Sequence, residues 1–448
     1  DIQDTAVARG GSSDRRTPAA QVPSAASPET LPASALSSAG SAPPAPQVLR
    51  RPLLQGDGSL AGFEHFMEAL AKEPDNSSTP EAPAADAQPL PTAMPAQALL
   101  TAMSHTMASG RRALAVVDSR WIAAPEVQAL IQPGMMLGLA DNPFQQPARE
   151  PLLQRLRGQG AVLGSVGLPR SGASFVVFDA TGLDRPGLLQ RAQACAAAAP
   201  GVQVLATGIR SLDDLEAALH GGFEMAAGLF DRVGYLQESG FLAPDIQRIC
   251  RLLNRVMSDD DTSVVADEVR SDVGLTYRML RHANSPLLGL TRRVDSVDQA
   301  LQLMGRQALY RWLTTLLVAS GTGRPSSMAL QEIALARGRF MEQFSLPVNA
   351  PPAALFTTGL LSLLDVMTEI PMSKAVAPLH LPWESHAALV RAEGPWRPLI
   401  EIVRCLEAGQ TDQAAMHAEF LGGLKVVGPA MTEAWQWAAT VTASLKAP

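Results

Sequence analysis

The sequence predicts an α/β domain with a mostly parallel sheet, followed by an all-α helical bundle. Two observations support this fold class. From about Gln47 to Tyr235, short apolar runs such as RALAVVD and SFVVFDA alternate with helical patterns such as EPLLQRLRGQ. Alternation of this kind is typical of βα units, whose parallel sheet is open or closed. After about Ser239 the strand-like runs disappear, and the chain to about Thr440 carries only helical patterns.

Length and composition agree with two folded domains. The chain has 448 residues, of which 46% are apolar and 18% charged, and a chain of that length can bury two cores. The net charge of −7 disfavours a general affinity for nucleic acid, because such an affinity requires a basic face. No apolar run reaches the length of a membrane span. Since the N-terminus also shows no basic segment followed by an apolar one, we predict a cytoplasmic protein.

Composition divides the chain into three parts. Residues 1–46 are rich in Ala, Pro, Ser and Gly, and such a segment cannot bury enough apolar surface to offset its ordering entropy. It is therefore predicted to be a disordered tail. Residues 47–238 are assigned to the α/β domain, with a low-complexity insertion at about 73–95, and residues 239–440 to the helical domain.

The cysteines predict neither a zinc site nor a disulfide framework. They are odd in number, far apart and without a CxxC pair: Cys195, Cys250 and Cys405. Buried free thiols in a reducing compartment are the expected state.

Local signals mark several helix ends. In SLDDLEAALHGG, Ser211 is the expected N-cap and Gly221 the C-terminal stop. In SVDQALQLMG, Ser296 and Gln299 have the spacing of a capping box, and Gly305 is expected to end the helix or break its phase. The segment Asn284-Ser285-Pro286 is expected to end the preceding helix, because proline disfavours helical geometry just before it.

Two further helices are predicted nearer the C-terminus. GRPSSMALQEIALARGRFMEQF has alternating charges, which favours a solvated face of the bundle. MTEAWQWAATV is an amphipathic terminal helix, and we expect Trp435 and Trp437 to dock into the core rather than form an exposed partner site.

The most specific segment is TYRMLRHANSPLLGLTRRVDSVDQALQLMGRQALYRWL, residues 276–313. It resembles the HDOD domain, an all-helical signalling module related to the HD phosphohydrolases, and the resemblance covers roughly residues 241–430. HD enzymes require an adjacent His-Asp pair as metal ligands. Ser362 and Leu363 stand at that position here, Asp365 is nearby but alone, and the histidines show no ligand spacing. The resemblance therefore implies an HD-like fold without a metal site.

The preceding region resembles an EAL domain, the cyclic di-GMP phosphodiesterase fold, which is a modified (β/α) barrel. VLRRPLLQGDGSLAGFEHFM is similar to the opening strand-turn-strand of that family, and GIRSLDDLEAALHGGFEMAAGLF is similar to its last helix and strand. Together the two resemblances imply an EAL/HDOD two-domain signalling protein. Its fold class is an α/β degenerate (β/α) barrel-like domain followed by an all-α HDOD helical bundle.

The resemblance also locates the expected EAL site. Glu64 stands at the signature glutamate, Asp118 at the metal-binding asparagine, and Asp179 two residues after the lysine position. The arginine of the signature is replaced by Glu68. The other acidic, lysine and glutamine positions carry no acid and no lysine: Gly138, Val166, Gly167, Val177, Thr207 and Ala227. Two hard cations require several oxygen ligands, which this set does not supply.

The predicted function is a non-catalytic signal-transduction adaptor that acts through protein–protein contacts of both domains. No catalytic residue, no metal site and no cofactor is predicted. Glu64, Asp118 and Asp179 are the remaining candidates for contact with a nucleotide, and two alternatives stay open: a cyclic di-GMP binding sensor and a residual cyclic di-GMP phosphodiesterase. The predicted partners are signalling proteins of unknown identity, with a homo-oligomer also open.

Overall fold

Eight β-strands in the first half of the chain close into a barrel in the computed structural model of the protein. The structure describes residues 48–67, 93–230, 236–237, 240–258, 260–285, 293–320 and 324–446. The strands are β1 (Leu49–Gln55), β2 (Leu60–Phe66), β3 (Arg112–Val117), β4 (Met136–Leu139), β5 (Val162–Val166), β6 (Phe175–Asp179), β7 (Gln203–Ile209) and β8 (Met225–Gly228). The predicted tail, and the predicted insertion up to residue 92, lie outside the described residues. The predicted domain boundaries therefore stay predictions.

The direction of β1 distinguishes this barrel from an all-parallel one. β1 runs antiparallel to both of its neighbours, β2 and β8, whereas all neighbours from β2 to β8 are parallel. A short turn joins β1 to β2, and Gly58 occupies it with a φ of 78°, a left-handed conformation that glycine adopts without steric strain. Parallel strands place their carboxyl ends at one mouth of a barrel.

In the described part of the chain, five α-helices lie between the strands of the barrel in sequence. They are α1 (Ala93–Ala108), α2 (Pro125–Gln128), α3 (Glu150–Gly158), α4 (Arg185–Ala198) and α5 (Leu212–His220). The predicted cap of α5 is confirmed, because the Ser211 hydroxyl accepts a hydrogen bond from the Asp214 amide and the helix ends at Gly221. The first helix, α1, begins at Ala93, near the approximate end of the predicted insertion.

All described elements after Gly228 are helical. They are α6 (Pro244–Met257), α7 (Thr262–Arg270), α8 (Val273–Ala283), α9 (Val297–Ala319), α10 (Ser327–Gln343), α11 (Pro352–Leu361), α12 (Leu364–Thr368), α13 (Met372–Ala375), α14 (Trp383–His386), α15 (Arg397–Ala408), α16 (Thr411–Ala418) and α17 (Leu424–Lys446). The predicted all-α second part is confirmed. None of these helices, nor any other in the described part of the chain, is both long and apolar enough to cross a bilayer.

One of the hydrophobic clusters of buried side chains spans the barrel and the helical part. Residues 46–448 form one compact unit, and a single cluster of buried side chains includes residues of β1, β2, β6 and β7 together with residues of α10, α11, α15 and α17. The outer face of β2 meets α17 where the Phe63 and Trp435 rings pack edge to face, with centroids 4.8 Å apart. The prediction that Trp435 docks into the core is confirmed.

Polar contacts reinforce the same interface. Arg111, at the start of β3, donates two hydrogen bonds of 2.7 Å to the carboxylate of Glu332 on α10. A β-carbon added at Gly58 would lie 2.4 Å from the carbonyl carbon of Pro325, so the β1–β2 turn rests on the backbone that leads into α10.

The prediction for α10 is wrong. Its alternating charges favoured a solvated face, but most of the helix is buried, including Glu332 and Arg337, whose exposed fractions are 3% and 2%. Each of these charges is neutralised by an oppositely charged side chain from another element. Burial of a charge is tolerated when it is paired and hydrogen-bonded, and a charge pattern in one segment cannot reveal partners that are remote in sequence.

Glycine and serine shape α9 largely as predicted. Gly305 lies inside the helix with φ 69° and ψ 170°, so it breaks the helical phase. Ser296 accepts a hydrogen bond from the Gln299 amide, which is half of the predicted capping box. The reverse bond is shifted by one residue, because the Gln299 side chain accepts from the Asp295 amide at 3.1 Å.

Asn284 joins the end of α8 to Val294. Its side-chain amide donates to the carbonyls of Leu280 and Val294, both at 2.8 Å, and its side-chain oxygen accepts from the Val294 amide at 2.8 Å. The prediction that α8 ends before this residue is confirmed. The asparagine of the HANS segment therefore has a structural role.

Replacement of Asn284 by alanine is expected to lower the free energy of unfolding by about 1–2 kcal/mol, because it removes the partners of the amide and carbonyl of the buried residue Val294. Urea denaturation of the full chain measures the change. Gln302→Ala, an exposed position on α9, is the control and is expected to change stability by less than about 0.5 kcal/mol. Equal effects of the two variants would contradict the structural role of Asn284.

The cysteines are free and buried, as predicted: Cys195, Cys250 and Cys405. Burial raises the pKa of Cys250 to about 12, so this thiol stays protonated and unreactive at neutral pH.

Candidate functional site

The carboxyl ends of the parallel strands form a mouth where the predicted EAL positions meet. A β-carbon added at Gly138 on β4 would lie 3.3 Å from a methyl of Val116, 3.4 Å from a methyl of Val177 and 3.7 Å from a methyl of Val166. Three of the positions that the sequence assigned to ligands or lysine are therefore neighbours. The valine side chains and the α-carbon of Gly138 form an apolar cluster, which contains no side-chain oxygen that could bind a cation.

Two more predicted positions belong to the same end of the barrel. Thr207 on β7 pairs with Asp179 on β6, is buried, and donates its hydroxyl to the Phe178 carbonyl at 3.4 Å. Ala227 on β8 is buried beside Leu53 in the barrel interior. Neither position supplies a carboxylate or an amide side chain.

Glu64 is a buried acidic side chain in the mouth, at the position of the signature glutamate. It lies on β2 with an exposed fraction of 7%, and one carboxylate oxygen accepts a hydrogen bond of 3.0 Å from Arg51. Burial raises the pKa of Glu64 above its usual value; the charge and hydrogen bond of Arg51 oppose that shift, and the charge of Asp179 adds to it. A buried carboxylate in this setting depends on Arg51 for its charge balance.

Arg51 is the residue of this site that sequence reasoning missed. It lies on β1 directly opposite Glu64 in the antiparallel ladder, and its guanidinium stands 4.7 Å from the centre of the Phe66 ring. Its Nε donates to the main-chain carbonyl of Glu407 on α15 at 3.3 Å. The available signal was the pair Arg50-Arg51 inside a strand, since alternate residues of a strand face opposite sides and one of the two had to face the barrel interior.

Asp118 and Asp179 do not join Glu64 in a ligand set. Asp118 accepts hydrogen bonds from both the main-chain amide and the guanidinium of Arg120, at 2.7–3.1 Å. Burial pushes the pKa of Asp118 upward, but these contacts with Arg120 outweigh it and hold the pKa below the usual value. Asp179 is exposed and accepts from the Thr181 amide at 2.9 Å, the geometry of a loop cap.

The helical domain has its own candidate position at the end of α11, where Ser362 and Leu363 replace the expected His-Asp pair. Leu363 is buried in the core. The Ser362 hydroxyl accepts a hydrogen bond of 3.2 Å from Arg337 and donates one of 2.7 Å to the Gly359 carbonyl. Arg337 in turn makes a bidentate pair with Glu407, with N–O distances of 3.1 and 2.5 Å.

The match to a known domain family agrees with this part of the structure. Residues 241–364 match the sequence profile of the HDOD domain. The chain contains an HDOD domain. The match ends at residue 364, directly after the Ser362-Leu363 position, and it begins at the approach to α6.

Two curated proteins resemble the chain beyond the HDOD domain. Uncharacterized protein YuxH of Bacillus subtilis is 24% identical over 283 residues, which are 62% of this chain and 66% of that protein. Cyclic di-GMP phosphodiesterase CdgJ of Vibrio cholerae is 25% identical over 237 residues, which are 52% of this chain and 55% of that protein. The chain thus spans less than two thirds of the length of either relative.

Solved EAL domains match the barrel only loosely. The EAL domain of Mycobacterium smegmatis DcpA shares 12% identity and a TM-score of 0.29, and the match covers 40% of this chain and 89% of that domain. A likeness of that size adds nothing to the fold, which rests on the closed barrel itself. The predicted architecture, a (β/α) barrel followed by an HDOD domain, is confirmed.

Two histidines, His65 and His282, have packing roles. His282 in the HDOD domain stacks on Trp312 with ring centroids 5.9 Å apart, and burial lowers its pKa to about 4. His65 follows Glu64 but faces α1, where its Nε2 lies 2.9 Å from the Thr106 hydroxyl. Burial, assisted by the charge of Arg50, lowers the pKa of His65 to about 3.

The donor sets of both positions fit poorly to a divalent cation. Within the described residues, no group of three or more His, Cys, Asp or Glu side chains is arranged to hold a metal ion. At the barrel mouth the carboxylate of Glu64 is paired with Arg51, and at the HDOD position Ser362 contacts Arg337. A guanidinium therefore stands beside each position where the families would place a metal.

A cavity of about 720 Å³ lies apart from these positions, between α5 and the HDOD domain. Its charges are paired with one another: Arg324 contacts Asp213 at 2.8 Å, Glu216 at 3.0 Å and Glu369 at 2.7 Å. We assign it to the interface rather than to a ligand, because the carboxylates that line it already share one arginine.

Proposed function

We propose that the chain is a non-catalytic adaptor in cyclic di-GMP signalling, in which an EAL-like barrel and an HDOD domain present surfaces to other signalling proteins. The signalling context is supported by the HDOD domain and by the relative named as a cyclic di-GMP phosphodiesterase. The observation that carries the non-catalytic part is the barrel mouth. Gly138, Val166 and Val177 meet there as an apolar cluster, and Glu64 is neutralised by Arg51.

The physical reason for the expected lack of catalysis is that the mouth has too few negatively charged ligands for divalent cations. Cation-assisted phosphodiester hydrolysis needs several oxygen ligands to hold the ions, to polarise the phosphate and to generate hydroxide. A single carboxylate that already balances an arginine cannot supply them. A cation placed beside Glu64 would also be repelled by the guanidinium of Arg51.

A contact function is supported by the surface of the HDOD domain. α8 exposes Val273 and Tyr277, which are 84% and 64% exposed and one turn apart. The opposite face of the same helix buries Leu275 and Met279. Exposed apolar side chains next to each other on a helix are typical of surfaces that bind another protein.

The test is an assay of cyclic di-GMP hydrolysis by the purified full chain, with Mg²⁺ or Mn²⁺ in turn. We expect no turnover above the rate without protein, and no difference between wild type and Glu64→Gln. Turnover that disappears in Glu64→Gln would contradict the proposal and establish the enzyme. A phosphodiesterase of known activity, assayed in parallel, controls for the substrate and the metal.

A binding sensor is the second candidate, because the mouth retains Glu64 and an arginine, and arginine is a frequent phosphate ligand. Calorimetry with cyclic di-GMP distinguishes it from the adaptor. Binding without hydrolysis, weakened by Arg51→Met, would favour the sensor. No heat at high micromolar nucleotide would leave the adaptor as the explanation.

A further inference from the structure

One residue of the helical part, Glu407 on α15, contacts both arginines that stand at the two candidate positions. The carboxylate of Glu407 forms the bidentate pair with Arg337, and the side chains of the two residues are 8% and 3% exposed. The main-chain carbonyl of the same residue accepts the hydrogen bond from Arg51. A continuous chain of contacts therefore runs from Glu64 through Arg51, Glu407 and Arg337 to Ser362.

The C-terminal turn of α15 has carbonyl groups that Arg51 can bind. The last four carbonyls of a helix lack intrahelical partners and carry partial negative charge, and Glu407 supplies one of them. A guanidinium that donates to this carbonyl acts as a C-terminal cap contributed by another domain. Its charge is fixed at the other end by Glu64, 3.0 Å away.

Close packing also stabilises the contact between Arg51 and the end of α15. α15 ends at Gly409, which has a φ of 78°. A β-carbon at Gly409 would lie 2.6 Å from the Phe66 ring and 3.7 Å from a guanidinium nitrogen of Arg51. The helix end thus rests directly on the ring that Arg51 covers, and only glycine satisfies both the backbone angle and this distance.

We infer that Arg51 is a latch between the barrel and the helical part: it ties the C-terminal turn of α15 to Glu64 at the barrel mouth, so that a change at the mouth alters the order of α15. Anything that competes with Glu64 for the guanidinium, or that removes the charge of Glu64, frees the cap of α15. Glu407 then passes the change to Arg337 and Ser362. The inference concerns contacts between domains and does not depend on whether the mouth is catalytic.

The test is amide hydrogen exchange of the full chain, measured by mass spectrometry on peptides that cover residues 397–410. In Arg51→Met we expect exchange in the last turn of α15 to become about ten-fold faster, which corresponds to one lost charge-assisted hydrogen bond. In Glu64→Gln we expect a rise of several-fold in the same peptides, although Glu64 itself makes no hydrogen bond to α15. Peptides of β6 and β7 are expected to keep the wild-type rate.

Two matched controls separate the latch from general loosening. Arg120→Met removes another arginine near the mouth, whose partner is Asp118 of the same loop, and is expected to leave α15 unchanged. Arg50→Met removes the neighbouring arginine, which donates to the Met431 carbonyl on α17 at 3.2 Å, and is expected to loosen α17 but not α15.

Three outcomes would overturn the latch. They are an unchanged α15 in Arg51→Met, an unchanged α15 in Glu64→Gln, and a rise in Arg120→Met as large as in Arg51→Met. If Arg51→Met does not fold, Glu64→Gln decides alone, because glutamine keeps the volume of the side chain and removes only its charge. Turnover of cyclic di-GMP would contradict the proposed function but leave these outcomes unaffected.

Discussion

Arg337→Met is expected to lower the free energy of unfolding by about 3–5 kcal/mol, because it leaves the carboxylate of Glu407 buried without a counter-charge. The pair is bidentate, is buried, and joins α10 to α15 across 70 positions of sequence. Chemical denaturation of the full chain at neutral pH measures the loss. The thermal midpoint is expected to fall in the same variant.

The matched control is Arg339→Met, two residues along the same helix. Arg339 pairs with Glu342 and Glu433 but is 30% exposed, so we expect a loss of less than about 1 kcal/mol. The double variant Arg337→Met/Glu407→Met replaces the pair by apolar side chains and is expected to recover most of the stability. A double variant no more stable than Arg337→Met would show that packing, and not the unpaired charge, explains the loss.

Gly359→Ala is expected to destabilise the protein by about 3 kcal/mol, at the upper end of the usual range for overpacking. α10 and α11 cross so closely at this point that an added β-carbon would lie 2.6 Å from the Arg337 carbonyl oxygen and 2.8 Å from the Gly338 α-carbon. Both atoms belong to the backbone, so they cannot move aside by a change of rotamer. Urea denaturation measures the effect.

Gly158→Ala provides the control for the same substitution in a helix. Gly158 lies at the end of α3, and outside its own helix no atom lies within 4 Å of an added β-carbon, so alanine is expected to stabilise the protein by up to about 1 kcal/mol through helix propensity. The two Gly→Ala variants should therefore have opposite signs. A loss in both would contradict the close approach of α10 and α11 as the cause.

Arg337 and Gly359, the residues changed in these two predictions, are linked through Ser362 in the HDOD domain. The Gly359 carbonyl accepts the hydroxyl of Ser362, which accepts from Arg337. The close helix crossing and the buried pair thus support each other around the position where an HD enzyme would hold its metal. Arg337, Glu407 and Ser362 form a hydrogen-bonded structural unit at this position.

Local sequence signals predicted the elements of this protein well. The apolar runs and helical stripes predicted the α/β part and the all-α part, because side-chain periodicity reflects which face of each element is buried. Ser211, Gly221 and Gly305 marked real helix ends or breaks, since capping and left-handed geometry depend on the residue itself and its nearest neighbours. The apolar residues at the barrel mouth were likewise visible in the sequence.

The pairing of charges was not predictable in this way. Arg50 and Arg51 are adjacent and chemically identical, yet the register of β1 in the barrel turns Arg51 toward Glu64 and leaves Arg50 over the ring of Phe63. The alternating charges of α10 predicted a solvated helix. The helix is buried because Arg111 and Glu407, which are distant in sequence, pair with its charged side chains.

The sequence by itself determined the order and type of the elements, the helix ends, and the absence of acids at most of the expected ligand positions. Only the tertiary structure decided that an arginine stands beside each candidate position, and that Glu407 contacts both arginines. The physical reason is the distance along the sequence over which each effect acts. Periodicity and capping act over a few residues, whereas the charge balance of a buried site depends on groups that the fold brings together from hundreds of residues apart.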